Sequence, residues 1–225
     1  MVKVKKGDFV DLDYTGKLKD NRIFDTNIKE VGEKENIHKQ SYDPLIVCIG
    51  EGQVVKGLDK QLEGTETEKE YNFDVPAEEA YGKKDTKMIR VVSKSLFTKQ
   101  KMNPYPGMQI NAENMMGIVR SVSGGRVFVD FNHPLAGKDL IFEVKVKRIL
   151  KDTKEKVQSL LKILLMLDPK KYELELESKK MKIKSEIKIP DVMLNAIKDK
   201  IVKLVPEINS IEFLEVKTKQ PLKDN

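Results

Sequence analysis

Between Arg126 and Ile149 the sequence RVFVDFNHPLAGKDLIFEVKVKRI alternates apolar and polar residues so regularly that little besides β-strand accommodates it. Val127, Val129 and Phe131 share one face. Beyond Asn132 to Gly137, residues Leu140, Phe142, Val144 and Val146 point one way while Glu143, Lys145 and Lys147 point the other, as a half-buried strand requires. The stretch reads as two strands joined by one turn, so a sheet closes far from the N-terminus. If the closing strand pairs with segments near 8–16 and 68–75, the residues between about 84 and 128 are an insertion into a small β unit.

Composition narrows the class. A chain of 225 residues with 39% hydrophobic and 35% charged residues can bury a core and has no need to be disordered. No apolar run approaches the roughly 18 to 20 residues of a membrane span, and MVKVKKGDFV lacks the apolar core of a secretory signal. A cytoplasmic protein with no membrane partner is expected. The lone Cys48, inside the apolar run Leu45 to Ile49, excludes an internal disulfide and reads as a buried strand thiol. His38 and His133 stand far apart, so neither a metal site nor a cofactor is expected. Net charge is +6, and residues 151–225 carry 17 Lys against 13 Asp plus Glu, more simply a solvated basic face than a nucleic-acid site.

Along the chain, Val10, Leu12 and Tyr14 share a strand face, and Ile23-Phe24-Asp25 follows a polar turn. Lys29 to Lys39 shows no apolar period and reads as an exposed loop. Pro44 introduces a strand over Leu45 to Ile49, and Val54, Leu58 and Leu62 set a short helix over Gln53 to Leu62 that Gly64 ends. Tyr71, Phe73 and Val75 form the next strand, and Pro76 to Gly82 a helical turn presenting Tyr81.

From Lys87 to Arg126 the character changes, because five of the eight internal methionines fall there. Strand signals at Met88 to Val92, Met108 to Asn111 and Met116 to Val122, with a hairpin turn at Gly124-Gly125, read as a small, mostly β unit. So small a unit cannot bury all its apolar surface, which leaves Met88, Leu96, Phe97, Met108, Ile110, Met115 and Met116 as candidates for an adaptable surface that grips unfolded chains. After Leu150 come a helix over Thr153 to Leu167, strands at Tyr172 to Leu176 and Met181 to Ile189, a helix opened by Pro190-Asp191, and a strand over Ile211 to Val216 with a polar tail. The order α-β-β-α-β describes a separate unit, with no catalytic constellation in it.

No nucleophile and base, phosphate-cradling loop or ligand cluster has useful spacing. Apolar side chains converge instead. The segments VDLDYTG (10–16), IFDT (23–26), PLIVCIGEGQVVKGLDKQLEG (44–64), YNFDVPAEEAYG (71–82) and NHPLAGKDLIFEVKV (132–146) resemble, in order and spacing, the FKBP-type peptidyl-prolyl isomerases. The insertion preceding NHPLAG resembles their SlyD-like branch, whose insert-in-flap unit is a chaperone module. About 150 residues are covered.

The resemblance implies an α+β fold, an antiparallel sheet wrapped on a short helix, formed by 1–86 and 128–152, with an inserted flap unit over 87–127; it does not account for the α-β-β-α-β unit read over 153–225. It implies peptidyl-prolyl cis-trans isomerase and chaperone activity toward X-Pro peptides and unfolded or partly folded proteins. Asp25, Tyr81, Phe142 and Tyr14 match the catalytic positions. Phe24, Leu45, Val54, Val55, Leu58 and Leu135 match substrate-binding ones, with the Val55 amide taking a substrate carbonyl and Leu58 standing where many members have tryptophan. The alternative is a non-catalytic holdase, ribosome- or RNA-associated through the basic C-terminal region. Either a monomer or a dimer through that region fits the sequence.

Overall fold

The computed structural model describes residues 2–39, 41–187 and 189–215. β1 (Phe9–Leu18) is the strand on which the first sheet is assembled. One of its edges is shared by two short antiparallel partners: β2 (Ile23–Thr26) lies beside Thr15 to Lys17, and β3 (Leu45–Cys48) beside Phe9 to Leu12. Between them α1 (Lys29–Lys34) replaces the expected loop. Its reason is tertiary: the Tyr42 ring lies over Gly32, where an added Cβ would meet it at 2.3 Å.

α2 (Lys56–Leu62) begins three residues later than the periodicity predicts. The preceding backbone is held in another shape. Cys48 N–H donates to the Gln53 side-chain oxygen at 2.7 Å, and Gly50 and Gly52 N–H donate to the two carboxylate oxygens of Asp59, each at 2.9 Å. Both glycines take positive φ, +85° and +65°, which suits a residue without Cβ. Val54 and Val55 therefore sit on a clamped loop. Leu58 and Leu62 bury on the sheet. β4 (Glu70–Val75) follows, then a short 3-10 turn over Ala77–Glu79.

Next come β5 (Ile89–Ser93), α3 (Lys94–Lys99), β6 (Gln109–Ala112), β7 (Met115–Ser123) and β8 (Arg126–Asp130). They form one antiparallel four-stranded sheet in the order β5-β8-β7-β6. β9 (Leu140–Ile149) returns to the first sheet, pairing with β1 from Val10↔Ile149 to Leu18↔Leu140 and with β4 from Glu70↔Lys145 to Val75↔Leu140. The two strands expected over 126–149 are both present but lie in different sheets, and a boundary after residue 127 would cut β8. The alternation identified both strands, but the nine residues between them, 131–139, pass from one sheet to the other instead of reversing within one.

Phe97, expected at the surface, is 4% exposed. A Ser93 hydroxyl accepting the Ser95 N–H starts α3, and that helix turns Phe97 onto Val119, Val127, Val129 and Phe131. Six residues are too few to display a helical period, so the sequence pattern concealed this.

α4 (Thr153–Leu165), β10 (Tyr172–Glu177), β11 (Lys180–Ser185), α5 (Asp191–Leu204) and β12 (Ser210–Glu215) complete the described chain. β10 and β11 are antiparallel, β11 and β12 parallel across α5. The Asp152 carboxylate caps α4 by accepting the Glu155 N–H at 2.8 Å. The helix stops two residues early because Met166 turns left-handed, φ +52°. The second strand ends at Ser185, short of Ile189. The tail expected from Val216 onward lies outside the described residues.

The core of this third region takes in Phe9, Cys48 and Leu150, with Ile46 against it. Alternation makes this possible: Val10, Leu12, Val47 and Ile49 face α2 from the same strands.

Candidate functional site

Eleven side chains line a cavity of about 230 Å³ between α2 and the first sheet: Leu12, Tyr14, Phe24, Asp25, Leu45, Gln53, Val54, Val55, Leu58, Tyr81 and Phe142. Nine were expected from the sequence; Leu12 and Gln53 were not. Leu135, expected near the entry, is partly buried against the sheet core and is not among the lining side chains. Its turn is fixed by the Leu135 N–H donating to His133 Nδ1 at 3.1 Å, as a turn histidine should.

Each wall has a local cause. Phe24 meets Phe142 edge to face at 5.9 Å, an arrangement the ring quadrupoles favour. It can lie there because Gly16 carries no side chain, an added Cβ being 2.5 Å from the ring. Gly16→Ala is expected to cost about 1–3 kcal/mol through overpacking and to displace the Phe24 wall. Tm together with prolyl turnover checks it; a variant matching the parent in both would contradict the close approach.

Tyr14 stands where the edge of β1 changes partner, β3 on one side and β2 on the other. Asn27 fills that gap: its Oδ1 accepts the Tyr14 N–H at 2.7 Å, and its Nδ2 donates to the Leu12 carbonyl at 2.7 Å. The Tyr14 hydroxyl donates to Asp25 Oδ2 at 2.6 Å, and Lys39 forms an ion pair with the other carboxylate oxygen. Burial, followed by the Asp25 hydrogen bond and charge, raises the Tyr14 pKa well above the ordinary phenol range. Burial, then Asp25, raises that of Tyr81 too. Both hydroxyls are therefore protonated donors at neutral pH. Tyr81 is stacked on His133, centroids 4.0 Å apart and planes 4° apart, which holds its ring at the cavity rim.

Lys39 is the polar contact that sequence reading missed, since one lysine in a charged loop carries no distinguishing signal. With the two side chains 28% and 37% exposed, the pair contributes under about 1 kcal/mol.

The raised phenol pKa values have a consequence for stability. Where the folded pKa exceeds the unfolded one, the folded state keeps its proton after the unfolded state has lost it, so stability is full below the unfolded pKa of about 10 and declines as pH rises above it. Tyr14→Phe is expected to flatten the alkaline decline. Chemical denaturation at a series of pH values reads this directly, and an unchanged slope would refute it.

Of the surface candidates in and around the four-stranded sheet, Leu96 on α3 and Met116 on β7 are 52% and 61% exposed, while Met88, Met108, Ile110 and Met115 are half-buried against its core. Ile89, Val91 and Tyr105, not singled out beforehand, are also exposed. Among the described residues no group of three His, Cys, Asp or Glu side chains could hold a metal ion, and no helix is long and apolar enough to cross a membrane.

The chain is 33% identical over 148 residues to the short-type peptidyl-prolyl cis-trans isomerase of Methanocaldococcus jannaschii, a match spanning 65% of this chain and 94% of that protein. It belongs to the FKBP-type peptidyl-prolyl isomerase family. The family model described as "FKBP26, IF domain" matches residues 90–135. Two further FKBP-type relatives are SlyD of Escherichia coli K12, 35% identical over 51% of this chain and 60% of SlyD, and SlyD of Haemophilus influenzae, 29% identical over 69% and 77%. Antiparallel sheets with few helices are consistent with an FKBP-like fold. In this FKBP the two carboxylate oxygens of Asp25 have separate partners, one the Tyr14 hydroxyl and the other Lys39.

Proposed function

We propose that the chain catalyses cis-trans isomerisation of X-Pro bonds in polypeptides. The observation that carries this reading is the convergence of nine sequence-assigned residues on one small apolar cavity whose polar groups stand at its edge. Rotation about the prolyl bond meets a barrier of about 18–20 kcal/mol, because resonance holds the imide planar. Resonance also separates charge, so apolar walls favour the twisted, less dipolar form. Each ~1.4 kcal/mol of preference for that form gives tenfold in rate, and no bond is broken.

Phe24, Phe142, Val54, Val55 and Leu58 exclude water around the proline ring. Tyr81 donates to a carbonyl of the bound peptide, and Asp25, steadied by Tyr14, supplies negative charge beside the twisting imide. Neither needs to transfer a proton. The sheet β5-β8-β7-β6 is a flap unit that binds unfolded polypeptide and delivers it to the cavity, with Leu96, Met116 and the half-buried methionines as its contact surface. Residues 153–215 form a third unit. The test is turnover of a short X-Pro peptide by the intact protein; a rate equal to the uncatalysed one would refute the enzyme reading.

A further inference from the structure

A second cavity of about 690 Å³, three times the volume of the prolyl cavity at about 230 Å³, opens beside it. The two share Tyr14 and Leu45. One wall is the segment leading into β3, including Pro44 and Ile46; the other is the face of α4 carrying Ile163, with Met166 at its end. The Lys162 ammonium reaches the Asp43 carboxylate at 2.6 Å and fastens wall to wall. The cavity lies where β1 passes from β3 to β2 as strand partner, and Asn27, which bridges that break, also lines it.

Met166 marks this groove as more than a seam. It adopts φ +52°, a conformation unfavourable for any residue with a Cβ and usually given to glycine at the end of a helix. Its side chain is 91% exposed. A flexible thioether held in the open by strained backbone, at the rim of a groove lined by Leu45 and Ile163, suits contact with varied apolar side chains.

We propose that this groove is an extended subsite for polypeptide substrate, taking apolar residues that flank the proline while the proline itself occupies the smaller cavity. The occupant follows from continuity. A chain leaving the prolyl cavity past Tyr14 and Leu45 enters the groove directly, and Lys39, which lines it, must move from Asp25 to let the chain pass. The C-terminal region thereby helps choose substrates of the isomerase. This rests on the prolyl isomerase reading above.

The test uses the full chain and two substrates: an X-Pro tetrapeptide, and a peptide with the same centre extended on both sides by leucine and phenylalanine. Met166→Gly suits the left-handed backbone, so Tm should hold or rise. For the extended peptide, KM is expected to rise about tenfold, the low end of what a lost apolar contact gives in a binding site. For the tetrapeptide both constants should stay unchanged. Ile163→Ser should act in the same direction. Equal effects on the two peptides, or none on either, would overturn the proposal. So would a variant with a changed sedimentation mass and unchanged KM values, which would assign the groove to a second copy of the chain. Absence of tetrapeptide turnover in the unaltered protein would instead refute the isomerase reading on which the groove depends.

Discussion

Asp25→Ala combined with Phe142→Ala is expected to lower tetrapeptide isomerisation by about a hundredfold or more, because each change removes on the order of 1.4 kcal/mol or more of selective stabilisation of the twisted imide. The two act by different means. Asp25 is 37% exposed, so its loss leaves the fold intact and frees Lys39 and Tyr14 from their common partner. Phe142 is 5% exposed in the main core, where Phe→Ala costs about 3–5 kcal/mol of stability. Turnover must therefore be read well below the Tm of the double variant, with circular dichroism confirming the fold. A folded double variant that retained most of its turnover would place the chemistry elsewhere.

Excising Lys87 to Phe131 and joining Thr86 to Asn132 through two glycines should leave tetrapeptide turnover within about twofold while catalysed refolding of a proline-limited protein falls by about 10²-fold, the scale of a lost tethering site. The neck of the insertion makes the excision feasible. Asp85 N–H donates to Asn132 Oδ1 at 2.8 Å and Asn132 Nδ2 donates back to the Asp85 carbonyl at 2.9 Å. Below that pair, Gly137 N–H donates to the Gly82 carbonyl at 2.7 Å. Tyr81 and His133 lie on the retained side. Parallel loss of both activities would mean that the flap is part of the prolyl site rather than a separate binding unit.

What the sequence disclosed and what it withheld have physical reasons. The alternation of β9 and the spacing of Leu58 and Leu62 are one-dimensional traces of a half-buried strand and a helix face, and both were legible, whereas Val54, read on the same face, lies on the loop before α2. Partner choice leaves a weaker trace: the Gly124-Gly125 turn joined Arg126 to Asp130 to the strand before it, but nothing in the alternation told that its sheet is not the one β9 closes. The cavity-lining residues were found because the family resemblance orders them along the chain. Lys39 and His133 act by standing beside Asp25 and Tyr81 through folding alone, and their sequence neighbourhoods look like ordinary loop and turn. α1 depends on Tyr42 lying over Gly32, a contact that no window of local pattern contains.

β1 and β3 belong to two interiors at once. Phe9 and Cys48 look toward α4, while Val10 and Val47, their immediate neighbours, look toward α2. This part of the sheet is a party wall, with no face left over for water. A substitution that a one-sided strand would accommodate on its outer face meets a packed core on either side here, so the segment that positions Tyr14 and Leu45 is braced from both faces.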